Sequence, residues 1–195
     1  MPNHTKGTKT SHIRIIGGKW RSRKLPVPQL EGLRPTGDRV REMLFNWLSP
    51  YLDGARVLDA FSGSGALAFE ALSRGAQSVV LLDNSKLAID NLKQSAALLE
   101  SQADTEIKLS SALNYFQSKS TLAPFNIIFL DPPFAAQLLE QCITSLAKSD
   151  LLANRALIYI EQSRHDPMPN TPDNWAVIKQ KQSGEVCSLL FQAEV

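Results

Sequence analysis

The stretch RVLDAFSGSGALAFEALSRGAQSVVLLD, Arg56–Asp83, decides the fold. Arg56–Phe61 is strand-like, Ala66–Arg74 is helix-like and closed by Gly75, and Val79–Asp83 is a second apolar run of strand length. The same alternation continues toward the C-terminus. A helix is expected over Ser85–Glu100, with Leu87, Leu92, Leu98 and Leu99 on or near its buried face. A weak strand follows around Ile107 and Leu109, then a short helical stretch at Leu113–Phe116 and a strong strand at Phe125–Leu130. Leu138–Ala147 reads as a helix leading to a strand at Ala156–Ile160. Continuous apolar strands separated by helices specify an α/β fold, with a parallel sheet covered on both faces. Ala176–Ile178 and Val186–Phe191 have no helix between them, so an antiparallel hairpin turning near Ser183-Gly184 ends the sheet.

Working toward the N-terminus, Asp38 is placed to cap a helix with apolar positions Val40, Leu44, Trp47 and Leu48, ending near Ser49-Pro50. Upstream, Ile13–Ile16 and Lys19–Arg21 read as two short strands around Gly17-Gly18, followed by extended Leu25–Pro28. This is a basic hairpin carrying one large aromatic, Trp20. Met1–Ser11 lacks apolar periodicity and is expected to be disordered. The chain thus divides into a tail (1–11), a basic extension (12–37) and one main domain (38–195).

At 195 residues and 43% apolar, the chain can bury one good core but not two full-sized domains. Apolar runs are too short to cross a bilayer, and the polar, basic start does not have the pattern of a secretory signal. A soluble cytoplasmic monomer is expected. Cys142 and Cys187 stand alone in apolar segments, and His4, His12 and His165 are scattered in polar ones, which disfavours metal catalysis. Charge is divided. Residues 1–41 hold ten Lys/Arg against Glu31 and Asp38, a net +8, which leaves −6 for the remainder. A positive field confined to one end suits an arm that meets phosphates.

Ligands of open parallel sheets sit beyond the carboxyl ends of the strands, where Asp59, Asp83, Ser111 or Ala112, and Asp131 are expected. Asp59-Ala60-Phe61-Ser62-Gly63-Ser64-Gly65 enters a helix, and its glycines let backbone approach a ligand closely. It is not a dinucleotide fingerprint: Ala68 stands where the third glycine is needed, and Asp59 would face a pyrophosphate with like charge. A ligand with a positive amino group and a sulfonium fits better. Asp83 can accept hydrogen bonds from ribose hydroxyls or cap the helix that follows.

The segment Asn126–Phe134 carries the chemistry. Each proline forces the residue before it out of helical geometry, so Asp131 and Pro132 are extended and present a carboxylate beside a carbonyl. Those two acceptors match the two N–H donors of an exocyclic amino group on a base and turn its lone pair toward an electrophile. Phe134 offers a face for stacking. DPPF resembles the motif of methyltransferases that act on amino nitrogens. With Arg14–Arg21, Arg34-Pro35-Thr36, Asp38–Glu42, Phe61–Gly65 and Ala156–Glu161, the chain from about residue 13 onward resembles the bacterial 16S rRNA guanine-N2 methyltransferase family, RsmD.

That resemblance implies a Rossmann-like class I methyltransferase: a mostly parallel seven-stranded sheet with a C-terminal antiparallel hairpin and a small RNA-contacting N-terminal extension. It implies S-adenosylmethionine as cofactor, at Asp59, Phe61, Ser62, Gly63, Ser64, Gly65, Asp83, Asn84, Ser111 and Ala112. It implies catalysis by Asp131, Pro132, Pro133 and Phe134, on 16S rRNA within a small-subunit assembly, without metal or membrane. RNA contacts are expected from Arg14, Lys19, Trp20, Arg21, Arg23, Lys24, Arg34, Thr36, Arg39 and Arg41, although Trp20 also reads as a hairpin core residue. The family commonly has Glu at position 83 and frequently Cys at 60 and Asn at 111, where this chain has Asp83, Ala60 and Ser111. From the residues alone, methylation of adenine-N6 or of a protein glutamine uses the same motif chemistry. A nicotinamide oxidoreductase shares the alternation but lacks the glycines, and a non-catalytic RNA-binding module leaves Asp59, Asp83 and DPPF idle.

Overall fold

The structure is a computed structural model and describes residues 12–27, 37–118, 123–133 and 136–194. The expected disordered tail, Arg34, Thr36 and Phe134 all lie outside the described residues. At the N-terminal end β1 (His12–Arg14) pairs antiparallel with β2 (Lys24–Pro26), followed by α1 (Asp38–Leu48). The second hairpin strand therefore falls later than expected. Gly18–Trp20 instead forms a turn of 3-10 helix, because Gly18, at φ +75°, passes so close to Ser73 that a Cβ there would lie 1.8 Å from its carbonyl oxygen.

The chain continues with β3 (Arg56–Asp59), α2 (Ala66–Ser73), β4 (Ser78–Asp83), α3 (Lys86–Leu98), β5 (Thr105–Leu109) and α4 (Ala112–Gln117). It continues β6 (Phe125–Leu130), α5 (Ala136–Ala147), β7 (Leu152–Ser163), β8 (Trp175–Ser183) and β9 (Val186–Ala193). These strands form one seven-stranded sheet in the order β5-β4-β3-β6-β7-β9-β8. The first five are mutually parallel, and β9 lies antiparallel between β7 and β8. The alternating α/β sheet and its closing hairpin are as the sequence predicts.

The buried stretches of the central strands, Val57-Leu58 and Ile127–Leu130, are apolar on both faces because each face meets helices. Ile127 and Phe129 of β6 join one core with α1, α2 and α3; Ile128 and Leu130 join the other with α4 and α5. Phe129 is fully buried and meets Phe45 and Tyr159 edge-on, with ring centroids 6.2 and 6.3 Å away. Such burial stabilises by about 1.5–3 kcal/mol.

Three local expectations change. Asp38 is the first residue of α1 and Gly37 holds the capping position without a side-chain cap; the Asp38 carboxylate is held by Arg14 and Arg41 instead. Leu87 and Leu98 are half exposed, because the stripe that α3 buries runs through Ala88, Ile89, Leu92 and Ala96 to Leu99. β7 is twice the expected length and more, since β9 pairs along it from Ala156 to Ser163.

Candidate active site

The strand order β4-β3-β6-β7 sets four carboxyl ends side by side. From them come Asp83, which ends β4, Asp59, which ends β3, Asp131, which follows β6, and Glu161, near the end of β7. Chain connections leave β3 and β6 toward opposite sides, so this rim is the switch point of the sheet, where open α/β folds bind ligands. The glycine loop bends over it. Ser62 N donates to Leu82 O at 2.9 Å, Gly65 N to Ser62 O at 2.6 Å, and Gly63 N to Asp83 Oδ2 at 2.9 Å. Gly65 has φ +78°, and a Cβ there would lie 2.5 Å from the Phe69 ring, so only glycine lets the loop settle onto α2.

Asp83 has a structural duty as well as an open one. Its Oδ1 accepts from Ser85 N at 2.8 Å while Oδ2 holds the loop; each oxygen keeps a lone pair for a hydroxyl. Capping of α3 falls to Ser85, whose hydroxyl accepts from Ala88 N. Asp59 is buried, which pushes its carboxyl up, and neighbouring Asp83 adds to this. Backbone hydrogen bonds from Phe61 and Ala68 pull the other way, and the result is about 7. Asp131 is half-buried, Pro132 buried and Pro133 exposed. Farther along the rim, Ser111 caps α4 by accepting from Asn114 N, Ala112 is buried, Phe61 and Leu113 pack at the edge of the second core, and Asn84 is exposed. Ser62 and Ser64 are both buried in the loop.

The basic extension docks on α2 through charges that sequence reasoning assigned otherwise. Lys19, Arg21, Lys24 and Arg39 are exposed. Arg14 is exposed but bonds Asp38 Oδ2 at 2.8 Å, and Arg23 donates to Leu98 O at 2.6 Å. Arg41 is a correction: at 1% exposure it cannot reach an external phosphate, and it binds Asp38 at 2.6 Å, the Arg14 carbonyl at 3.0 Å and Glu70 at 3.8 Å. Trp20 is half-buried against the first core with the Lys19 ammonium 4.1 Å from its ring centre, so the core reading of this residue applies.

Glu70 was missed. It is completely buried and accepts from Ile16 N at 2.7 Å, Gly17 N at 2.8 Å and Arg74 Nε at 2.6 Å. Its signal was available: a lone carboxylate inside the apolar helix Ala66–Ser73 must find cations or amides when that helix is buried on all sides. Ser73, beside it, donates to Gly17 O and accepts from Trp20 N.

The family model described as conserved hypothetical protein 95 matches residues 13–192. Ribosomal RNA small subunit methyltransferase D of Escherichia coli K12 is 45% identical over 99% of this chain and 94% of its own length. The protein of that name from Haemophilus influenzae is 45% identical over 92% of this chain and 93% of its own length. The chain belongs to the ribosomal RNA small subunit methyltransferase D family. Among solved structures, a methyltransferase from Escherichia coli superimposes with TM-score 0.86 at 44% identity, covering 95% of this chain and all but 1% of that one, as its 99% coverage shows. A methylase from Haemophilus influenzae gives 0.82 at 40% identity, over 95% of this chain and 100% of the other.

The rim fits the cofactor of this methyltransferase D family. S-adenosylmethionine carries an ammonium and a sulfonium beside ribose hydroxyls, and the rim answers with a buried carboxylate that meets no cation among the described residues, a strand-end carboxylate with lone pairs to spare, and a glycine loop. Asp59 and the loop would hold the amino-acid end, and Asp83 the ribose.

Proposed function

We infer that this chain transfers the methyl group of S-adenosylmethionine to the N2 amino group of a guanine in 16S rRNA. The observation that carries the reading is the position of Asp131-Pro132-Pro133. It follows the central strand β6 at the switch point, next to β3 and its glycine loop. The sulfonium supplies an already activated methyl group. What remains for the protein is positioning. The Asp131 carboxylate and the Pro132 carbonyl accept the two amine hydrogens, which directs the nitrogen lone pair outward and converts an encounter into a unimolecular step. On transfer the carbon–sulfur bond would break and leave a neutral thioether, and the amine, made acidic by its new bond to carbon, would give its proton to Asp131 or water. Phe134, just outside the described residues, is assigned the stacking face.

A guanine inside a helix cannot enter a site at a sheet edge, so the target is unpaired or extruded. Exposed Lys19, Arg21, Lys24 and Arg39 are assigned to phosphates, with Arg14 and Arg23 beside them, and Arg34 and Thr36 are retained as candidates outside the described residues. The extension (12–37) serves the RNA and the remainder the reaction. No described helix is long and apolar enough to cross a membrane. The protein is assigned to the cytoplasm as a monomer acting on a small-subunit assembly. Incubation with tritiated-methyl cofactor and small subunits from a strain lacking the gene, then nucleoside analysis, tests the reading. Label in N2-methylguanosine of 16S rRNA is expected; label in N6-methyladenosine or in protein overturns it.

A further inference from the structure

Beyond Asp131, one more carboxylate stands at the rim without an assigned task. Leu130 of β6 pairs in register with Ile160 of β7, so the next positions, Asp131 and Glu161, lie on neighbouring strands at the same level. Strand alternation puts both on the face of Phe129 and Tyr159. Glu161 is 7% exposed. Its Oε1 accepts from the Tyr159 hydroxyl at 2.7 Å, and the Ser188 hydroxyl lies 3.1 Å from the same phenol oxygen. A phenol has one proton. With that proton given to the carboxylate, Ser188 donates to Tyr159, and the chain Ser188 to Tyr159 to Glu161 runs in one direction, fixing the carboxylate's rotation. Among the described residues Oε2 receives no donor. Nor does it belong with Arg56 Nε and Ser95 Oγ, the partnerless side-chain atoms sealed from solvent, so it keeps an opening.

A carboxylate that is nine-tenths buried, oriented through one oxygen and left short of a donor on the other is costly unless a ligand supplies the hydrogen. The ligand inferred for this rim has one to give. Guanine carries an N1–H beside its N2 amino group, whereas adenine has only a lone pair at N1. We propose that Glu161 reads the target base, accepting the N1–H of guanine while Asp131 and the Pro132 carbonyl hold the N2 amine, with Tyr159 and Ser188 positioning it. Specificity follows from the chemistry. A base with an N1 lone pair would face an acceptor with an acceptor, in a site where water is scarce. This proposal rests on the guanine-N2 reading above and adds the group that enforces it.

The test uses small subunits reconstituted on 16S rRNA carrying either guanine or 2-aminopurine at the methylated position. 2-Aminopurine keeps the N2 amine but has a lone pair at N1. The wild-type enzyme is expected to favour guanine in kcat/KM by about a hundredfold or more. In Glu161→Gln the amide can donate to that lone pair. Guanine turnover should fall at least tenfold, 2-aminopurine turnover should hold or rise, and the preference should collapse toward unity. Loss of the O6 carbonyl in 2-aminopurine is common to both enzymes and cannot produce that collapse. Cofactor affinity and the unfolding midpoint of the variant should match the wild type. If E161Q does not fold, the ratio of wild-type binding affinities for the two particles is decisive instead, and near-equal affinities overturn the proposal. It is also overturned if E161Q slows both substrates alike. Absence of any N2-methylguanosine with wild-type enzyme would instead remove the reading on which it rests.

Discussion

Two buried carboxylates in a single βα unit have opposite surroundings. Glu70, in α2, is met by two backbone amides and two guanidinium groups, all from this chain. Asp59, at the end of β3, is met by backbone amides and by the repulsion of Asp83, with burial driving its carboxyl up to about 7. One acid is complete and fastens the N-terminal extension to the main domain. The other is incomplete and is electrostatically suited to a cation from outside. A buried charge satisfied internally marks architecture, and one left short marks a site.

The largest effect expected at the rim comes from Asp131→Ala. Methyl transfer should fall by about a thousandfold while cofactor affinity stays within twofold, because the carboxylate holds the substrate amine and not the cofactor. Single-turnover rates and calorimetry measure the two, and wild-type rates in the variant would dissolve the contrast.

Completeness of the Glu70 network is tested by Glu70→Ala. Two amides and the Arg74 guanidinium lose their acceptor in the interior, and Arg41 loses one of its partners, so unfolding stability should drop by about 3–5 kcal/mol. Denaturation in urea reads this directly; a loss below about 1 kcal/mol would mean that the network is solvated and not structural.

Asp59 gives a pH signature. Its folded value lies above the unfolded one, so ligand-free stability from this group is complete below about pH 4 and declines as pH rises through about 7. Asp59→Asn should remove that decline, leaving the variant with the higher melting midpoint at pH 8, yet bind cofactor at least tenfold more weakly. Wild-type binding at pH 7 should release protons, seen as a dependence of the calorimetric heat on buffer. A buffer-independent heat would show that Asp59 stays in one protonation state.

The smallest effect separates two arginines that look alike in sequence. Arg21→Ala should leave stability within about 0.5 kcal/mol and lower the salt slope of rRNA binding by about one. Arg41→Ala should do the reverse, destabilising the fold with little change in that slope. Equal behaviour of the two would erase the distinction between exposed and interior charge.

The parts of the rim that could be read early share one property: each stands at the carboxyl end of an apolar run or just after it. Asp59, Asp83 and Asp131 are placed by strand polarity, whatever the neighbouring strand is. Gly65 and the proline pair act through their own backbone. Glu161 stands in the segment Ala156–Glu161 that carries the resemblance but received no role from sequence, because its meaning comes from two neighbours, Asp131 after β6 and Ser188 of β9, and no local pattern encodes that register. Trp20 and the later start of β2 turned on contact with α2, which the hairpin's own residues do not specify.

Sequence alone determined the alternation of strand and helix, the order of acids along the chain, and the stiff bend after β6, since each depends on neighbours in the chain. Tertiary structure decided which charges answer one another inside the protein and which face outward. Coulomb attraction and desolvation depend on separation in space and on burial. Arg14, Arg41 and Glu70 therefore received their roles only when the chain had folded.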